Sequence, residues 1–72
     1  MKLQRIYVAL LNEGTDVWRP VDAIPLGNDL FLIPKETAIP EDEEWEFRPG
    51  QEVRCRQLTF SDGINLVAYK EK

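Results

Sequence analysis

Residues 13–21 read EGTDVWRPV, and this stretch joins the first apolar run of the chain to the second. Its first half is rich in turn-forming residues, which predicts a loop over residues 12–16. Its second half holds Trp18 and also Pro20, which interrupts an apolar run that otherwise predicts a strand. Because proline cannot donate to a β-ladder, we expect Pro20 at an edge, at a bulge or facing away from a neighbouring strand. The later apolar runs are short and must fold back onto this pair.

The composition is that of a small soluble globular domain. The 72 residues are 43% apolar and 31% charged, so we predict one compact domain over residues 1–72. The net charge of -4 disfavours binding to nucleic acid and to anionic membranes, since both would repel an acidic chain. No apolar run approaches the roughly 20 residues of a membrane span, and we expect no signal peptide. Because Cys55 is the only cysteine, internal disulfides are excluded, and we expect a cytoplasmic protein.

Short segments with alternating or β-branched character predict strands. They cover residues 4–11, 17–26, 30–33, 52–60 and 64–70, and residues 45–47 are a short strand or an extended entry. The first segment is apolar on both faces, which is typical of a central strand or a strongly curved barrel strand. This spacing predicts an all-β fold, and at this length a small antiparallel, partly open SH3-like barrel of five to six short strands.

Turn residues and alternation set the expected register and core. A three-residue loop at residues 27–29 would pair Leu26 with Leu30 and Ile24 with Leu32, and one at residues 61–63 would pair Phe60 with Ile64 and Leu58 with Leu66. The apolar phase changes near Arg56 and Gln57, which predicts a bulge or a sharp coil. The predicted core consists of Ile6, Val8, Leu10, Val17, Val21, Ile24, Leu30, Leu32, Phe47, Val53, Cys55, Leu58, Phe60, Leu66 and Ala68.

The residues needed for most catalytic chemistry are missing. The chain has no histidine, its one serine lies in a predicted turn, and its four glycines are isolated. Neighbouring carboxylates concentrate in the acidic run at residues 41–44, which predicts a solvated loop too mobile for a fixed acid–base pair. We therefore expect no enzymatic activity, no cofactor and no metal site.

Tryptophans beside charged residues are the best candidates for a binding surface. An aromatic ring next to acids can receive a lysine or arginine side chain, and small barrels often bind peptides on such surfaces. The predicted partner is therefore another protein or a basic peptide, and the predicted binding residues are Trp18, Arg19, Glu43, Glu44 and Trp45. In the alternative interpretation, both tryptophans cap the open ends of the barrel as core residues.

The arginines offer a second alternative. Arg48, Arg54 and Arg56 could form a positive strip on a nucleic-acid-binding SH3-like barrel. The acidic total charge disfavours that function, and cross-strand pairing with Glu46 and Glu52 competes with it. Neither the tryptophans nor the arginines indicate whether the protein is a monomer or an oligomer.

The segment EGTxVWRPV resembles one shared by a group of small uncharacterised bacterial proteins. Members of the group also share a Trp-Glu-Phe-x-Pro-Gly stretch, here residues 45–50, and a final Asp-Gly hairpin, here Asp62 and Gly63. The resemblance covers most of the chain and implies no activity. More loosely, the chain is similar to SH3-like and Tudor-like barrels, in which a strand, a loop and a tryptophan-bearing strand come first.

Overall fold

The computed structural model describes residues 2–70, which form a five-stranded β-barrel. The strands are β1 (Gln4–Ala9), β2 (Trp18–Gly27), β3 (Leu30–Leu32), β4 (Glu52–Phe60) and β5 (Gly63–Tyr69). Sequential strands pair antiparallel, and a parallel pair between Tyr7 and Val67 closes the barrel. The prediction of a small all-β, SH3-like barrel is confirmed. The predicted strand at residues 45–47 is reduced to one bridge between Trp45 and Leu10.

The inward-facing side chains of the strands and of the β3–β4 connection form the core. Seven predicted core residues are buried: Ile6, Val8, Val21, Phe47, Val53, Cys55 and Ala68. The remaining eight are only half-buried: Leu10, Val17, Ile24, Leu30, Leu32, Leu58, Phe60 and Leu66. The sequence prediction missed Ala23, Phe31, Ile33, Trp45 and Val67, all of which are buried. The predicted phase of β3 was therefore wrong by one residue.

The turn between β2 and β3 is shorter than predicted. Asn28 and Asp29 form a two-residue turn with φ angles of 54° and 64°, and both values are left-handed, as in a type I′ hairpin. Gly27 pairs with Leu30, so the predicted pairing of Leu26 with Leu30 is wrong, and Leu26 falls within a bulge. The predicted pairing of Ile24 with Leu32 is confirmed beyond that bulge.

The β4–β5 hairpin also has a two-residue turn where three residues were predicted. Phe60 pairs with Gly63 and Leu58 with Asn65, so both predicted pairs are wrong by one residue. The ladder passes Arg56 and Gln57 without a shift in register, which overturns the predicted bulge. Physically, the phase changes because the hairpin extends beyond the core and its apolar residues pack on a second surface.

That second surface is the outer face of the barrel. The Phe60 ring lies 5.6 Å from the Tyr7 ring, edge to face, and 5.2 Å from the Trp18 ring. Val67 faces the same side and is only 4% exposed. β1 therefore packs apolar side chains on both faces, as expected for a strongly curved barrel strand.

Candidate functional site

The acidic run of the β3–β4 connection is fixed on one end of the barrel. The backbone N–H of Leu11 donates to the Glu44 carbonyl at 2.7 Å, and the N–H of Glu46 donates to the Ala9 carbonyl at 2.9 Å. Within the run, the Glu43 N–H donates to the Pro40 carbonyl at 3.0 Å. The segment predicted to be a mobile, solvated loop is thus tied by its backbone to the end of β1.

The side chain of Glu43 links three of the five predicted binding residues. Arg19 Nε and Trp45 Nε1 each donate to Glu43 Oε1 at 3.0 Å, and Arg19 Nη2 forms an ion pair with Glu43 Oε2. Trp45 is 6% exposed and the Glu43 side chain 10%. We call Arg19, Glu43 and Trp45 the capping triad. Its charges are paired and the indole N–H is hydrogen-bonded, so these three side chains close the end of the barrel with their polar groups satisfied by one another.

The sequence positions each member of the capping triad. Arg19 continues the inward series of Val21 and Ala23 along β2, one step beyond the apolar core, and pairs in register with Val8. Trp45 forms its bridge with Leu10, which carries its ring over the barrel end. This position agrees with the alternative interpretation that Trp45 caps the barrel as a core residue.

Trp18 and Glu44 lie outside the capping triad. Trp18 is half-buried on the outer face, where it lines a groove of about 370 Å³ with Glu46, Arg56 and other residues. Glu44 is exposed and accepts a hydrogen bond from Asn12 Nδ2 at 2.8 Å. Sequence reasoning missed Asn12, which has a φ of 62°. Its only signal was the tolerance of asparagine for left-handed backbone.

Exposed carboxylates surround the capped end. The loop at residues 11–16 is closed by the hydrogen bond from Leu10 N to Val17 O at 2.9 Å, and it meets the acidic run at Glu44. We call the five exposed acids of these two segments the acidic rim: Glu13, Asp16, Glu41, Asp42 and Glu44.

A groove of about 290 Å³ runs between β2 and the segment that leads to the acidic run. Pro20, Val21, Ala38 and Pro40 give it apolar walls, and Arg19 and Trp45 of the capping triad also line it. It is called the proline groove below. Apolar walls beside an acidic rim form a surface of mixed chemistry at one pole of the barrel.

Two of the three arginines of the predicted strip have side-chain contacts within the chain. Arg56 places its guanidinium 5.2 Å from the centre of the Tyr69 ring, and Arg54 Nη1 donates to the Asn28 carbonyl at 2.7 Å. Arg48 is exposed, in the segment just before β4. Arg54 and Arg56 lie on one face of β4, as the period of a strand requires.

Cys55 is a buried residue of the core, as predicted, with 2% of its surface exposed. Burial, together with the charge of Asp29, raises the pKa of its thiol to about 11. The thiol is therefore protonated at neutral pH and has little nucleophilic character.

The described part of the chain has neither a long apolar helix nor a metal-binding cluster, and no relative was found among known proteins. Within residues 2–70, no helix is long and apolar enough to cross a membrane. The same residues contain no group of three or more histidine, cysteine, aspartate or glutamate side chains placed to hold a metal ion. Neither the protein-family models, nor the curated protein sequences, nor the solved structures gave a match to the chain.

Proposed function

We propose that this barrel is a non-catalytic binding module that takes a basic segment of another protein at its capped end. The observation that carries the proposal is the fixation of the acidic run. Hydrogen bonds at Leu11, Glu46 and Glu43 hold its backbone, so the exposed side chains of Glu41, Asp42 and Glu44 all project from one short, fixed segment. Like charges held close together are unfavourable. Lysine or arginine side chains of a partner would relieve that repulsion.

The proline groove supplies the apolar part of the recognition. A basic segment with one apolar side chain would place that side chain between Pro20 and Pro40 and its cations on the acidic rim. Specific interfaces usually combine an apolar centre with a polar periphery in this way. The capping triad would act as rigid support, because its polar groups already have partners within the chain.

Nucleic-acid binding through Arg48, Arg54 and Arg56 is the weaker proposal. The guanidinium groups of Arg54 and Arg56 have contacts within the chain that phosphate binding would have to replace. The net charge of -4 also opposes approach to a polyanion.

Selection from a random-peptide phage library tests the main proposal. We expect the selected peptides to be enriched in lysine and arginine next to an apolar residue, and their binding to weaken with added salt. The double variant Glu41→Lys/Asp42→Lys should lose this binding. The matched control is Glu36→Lys/Glu52→Lys, which makes the same change in net charge at exposed sites outside the rim.

The control separates local from global electrostatics. Equal loss in both double variants would show that net charge alone attracts the peptides, and the acidic rim would not be a site. Selected peptides without basic residues, or no enrichment over the bare support, would also contradict the proposal.

A further inference from the structure

The outer edge of β4 is only partly covered. β3 pairs with β4 only from Glu52 to Arg54, and the last contact on that side is the Cys55 N–H, which donates to the Asp29 carbonyl at 2.9 Å. Within residues 2–70, no strand pairs with this edge of β4 between Arg56 and Phe60, although that stretch remains paired with β5 on its other side.

The direction of the backbone groups on this edge follows from strand geometry. In an antiparallel ladder, alternate residues direct both their N–H and C=O groups to one neighbour. Cys55 points toward β3, so Gln57 and Thr59 also point away from β5. The tight turn between Phe60 and Gly63 agrees, because the pair that closes a two-residue hairpin is hydrogen-bonded. Gln57 and Thr59 are exposed, so their backbone groups form an open edge.

The usual protection of an open edge is weak here. Natural edges carry lysine, proline, bulges or inward-pointing charges that prevent pairing with another chain. The sequence from Arg56 to Phe60 is RQLTF, with one charge and no proline, and its ladder to β5 has no bulge. Leu58 and Phe60 add partly exposed apolar surface on one face.

We propose that this edge pairs antiparallel with the same edge of a second copy of the chain, about a twofold axis at Leu58. In that register Gln57 lies opposite Thr59 of the second copy, and each such pair exchanges both of its N–H···O bonds. Leu58 lies opposite its own copy, and Arg56 lies opposite Phe60. No like charges face each other, and a cation meets an aromatic ring.

The self-complementary sequence selects a second copy as the occupant. A twofold axis requires the same patch on both sides, and around Leu58 the one charge of the segment, Arg56, lies opposite Phe60 and not opposite a second Arg56. The contact is small, so the association should be weak and dependent on concentration. The proposal does not depend on the proposed peptide binding, because residues 56–60 belong neither to the acidic rim nor to the proline groove.

Sedimentation equilibrium on the full chain, from about 10 μM to about 1 mM, measures the association. We expect a reversible monomer–dimer equilibrium in the wild type. Leu58→Lys should weaken it by about tenfold or more, because two like charges would face each other across the axis. Ile64→Lys is the control, since Ile64 is 68% exposed on β5, which lies on the side of β4 opposite to the open edge.

Two further measurements keep the result interpretable if Leu58→Lys folds poorly. An equimolar mixture of Leu58→Lys and Leu58→Glu chains should associate more tightly than either alone. In the wild type, hydrogen exchange at the Gln57 and Thr59 amides should slow as concentration rises. A monomer at all concentrations, a mixture that fails to associate, or exchange independent of concentration would each overturn the proposal.

Discussion

Replacing Glu43 should destabilise the fold far more than replacing its neighbour Glu44. Glu43→Gln keeps an oxygen that can accept from Trp45 Nε1 and Arg19 Nε, but removes the charge that pairs with Arg19 Nη2. Glu43→Ala removes every acceptor. The indole N–H of Trp45, which is 6% exposed as a residue, would then have no partner.

The structure sets the size of each effect. Leaving a buried N–H unsatisfied costs about 1–3 kcal/mol. The Arg19 side chain is 43% exposed, so water can resolvate it, and the loss of its ion pair adds only about 1 kcal/mol. Glu43→Ala should therefore cost about 2–4 kcal/mol, and Glu43→Gln about 1–2 kcal/mol. For a domain of this size each kcal/mol lowers the Tm by about 4–8 °C.

Urea unfolding followed by far-UV circular dichroism is the appropriate assay, because the tryptophan fluorescence would itself change. A double-mutant cycle of Arg19→Met and Glu43→Gln should give a coupling energy of about 1–2 kcal/mol. Glu44→Gln, on an exposed side chain, should stay within about 0.5 kcal/mol of wild type. A coupling below about 0.5 kcal/mol, or equal costs at Glu43 and Glu44, would refute the reasoning.

Four further variants test the core and the β2–β3 turn. Ile33→Ala, at a fully buried site, should cost about 2–5 kcal/mol in thermal unfolding, whereas Leu26→Ala, which is 45% exposed, should cost under about 0.5 kcal/mol. The difference in free energy of unfolding between wild type and Cys55→Ala should be constant below the ordinary thiol pKa of 9.0. It should fall by about 2 kcal/mol as pH rises toward 11, because only the unfolded thiol ionises in that window. A constant difference up to pH 11 would contradict this. Asp29→Gly should stabilise the type I′ turn by up to about 1 kcal/mol. In a thiol titration it should also lower the pKa of Cys55, and an unchanged pKa would show that the charge of Asp29 does not act on the thiol.

Alternation and turn residues predicted the architecture because both are local signals. The bounds of β4 were predicted without error, and the apolar character of both faces of β1 correctly indicated a curved barrel strand. Each signal needs only a few neighbouring residues, and each agreed with a fold of short antiparallel strands.

The main error was in the predicted register of the strands, because register depends on backbone conformations that turn residues only partly specify. Both hairpins carry two-residue turns where three residues were expected, and a change of one residue reverses which face a side chain occupies. In β3 the bulge at Leu26 restored the original pairing of Ile24 with Leu32, yet Phe31 and Ile33 became the buried residues. Nothing in the composition of residues 30–33 distinguishes its two apolar faces.

The candidate site was only partly predictable, for a similar reason. Sequence reasoning named Arg19, Glu43 and Trp45 but did not predict that they contact one another. Arg19 lies 24 residues from Glu43 along the chain, and their pairing depends on how the β3–β4 connection crosses the barrel end. Such a contact is visible only once the topology is known, because no local periodicity relates the two segments.

The capping triad separates the acids that folding needs from those it does not. A small barrel must cover its open end, and Trp45 does so with a large apolar ring. Its buried indole N–H needs an acceptor, which explains Glu43, and a carboxylate with so little exposure needs a cation, which explains Arg19. No similar argument from packing or hydrogen bonding explains Glu41 or Asp42, which are exposed and lie beside other acidic residues in the sequence. Folding does not require these two carboxylates, so the acidic rim is the feature of this end that a partner would best explain.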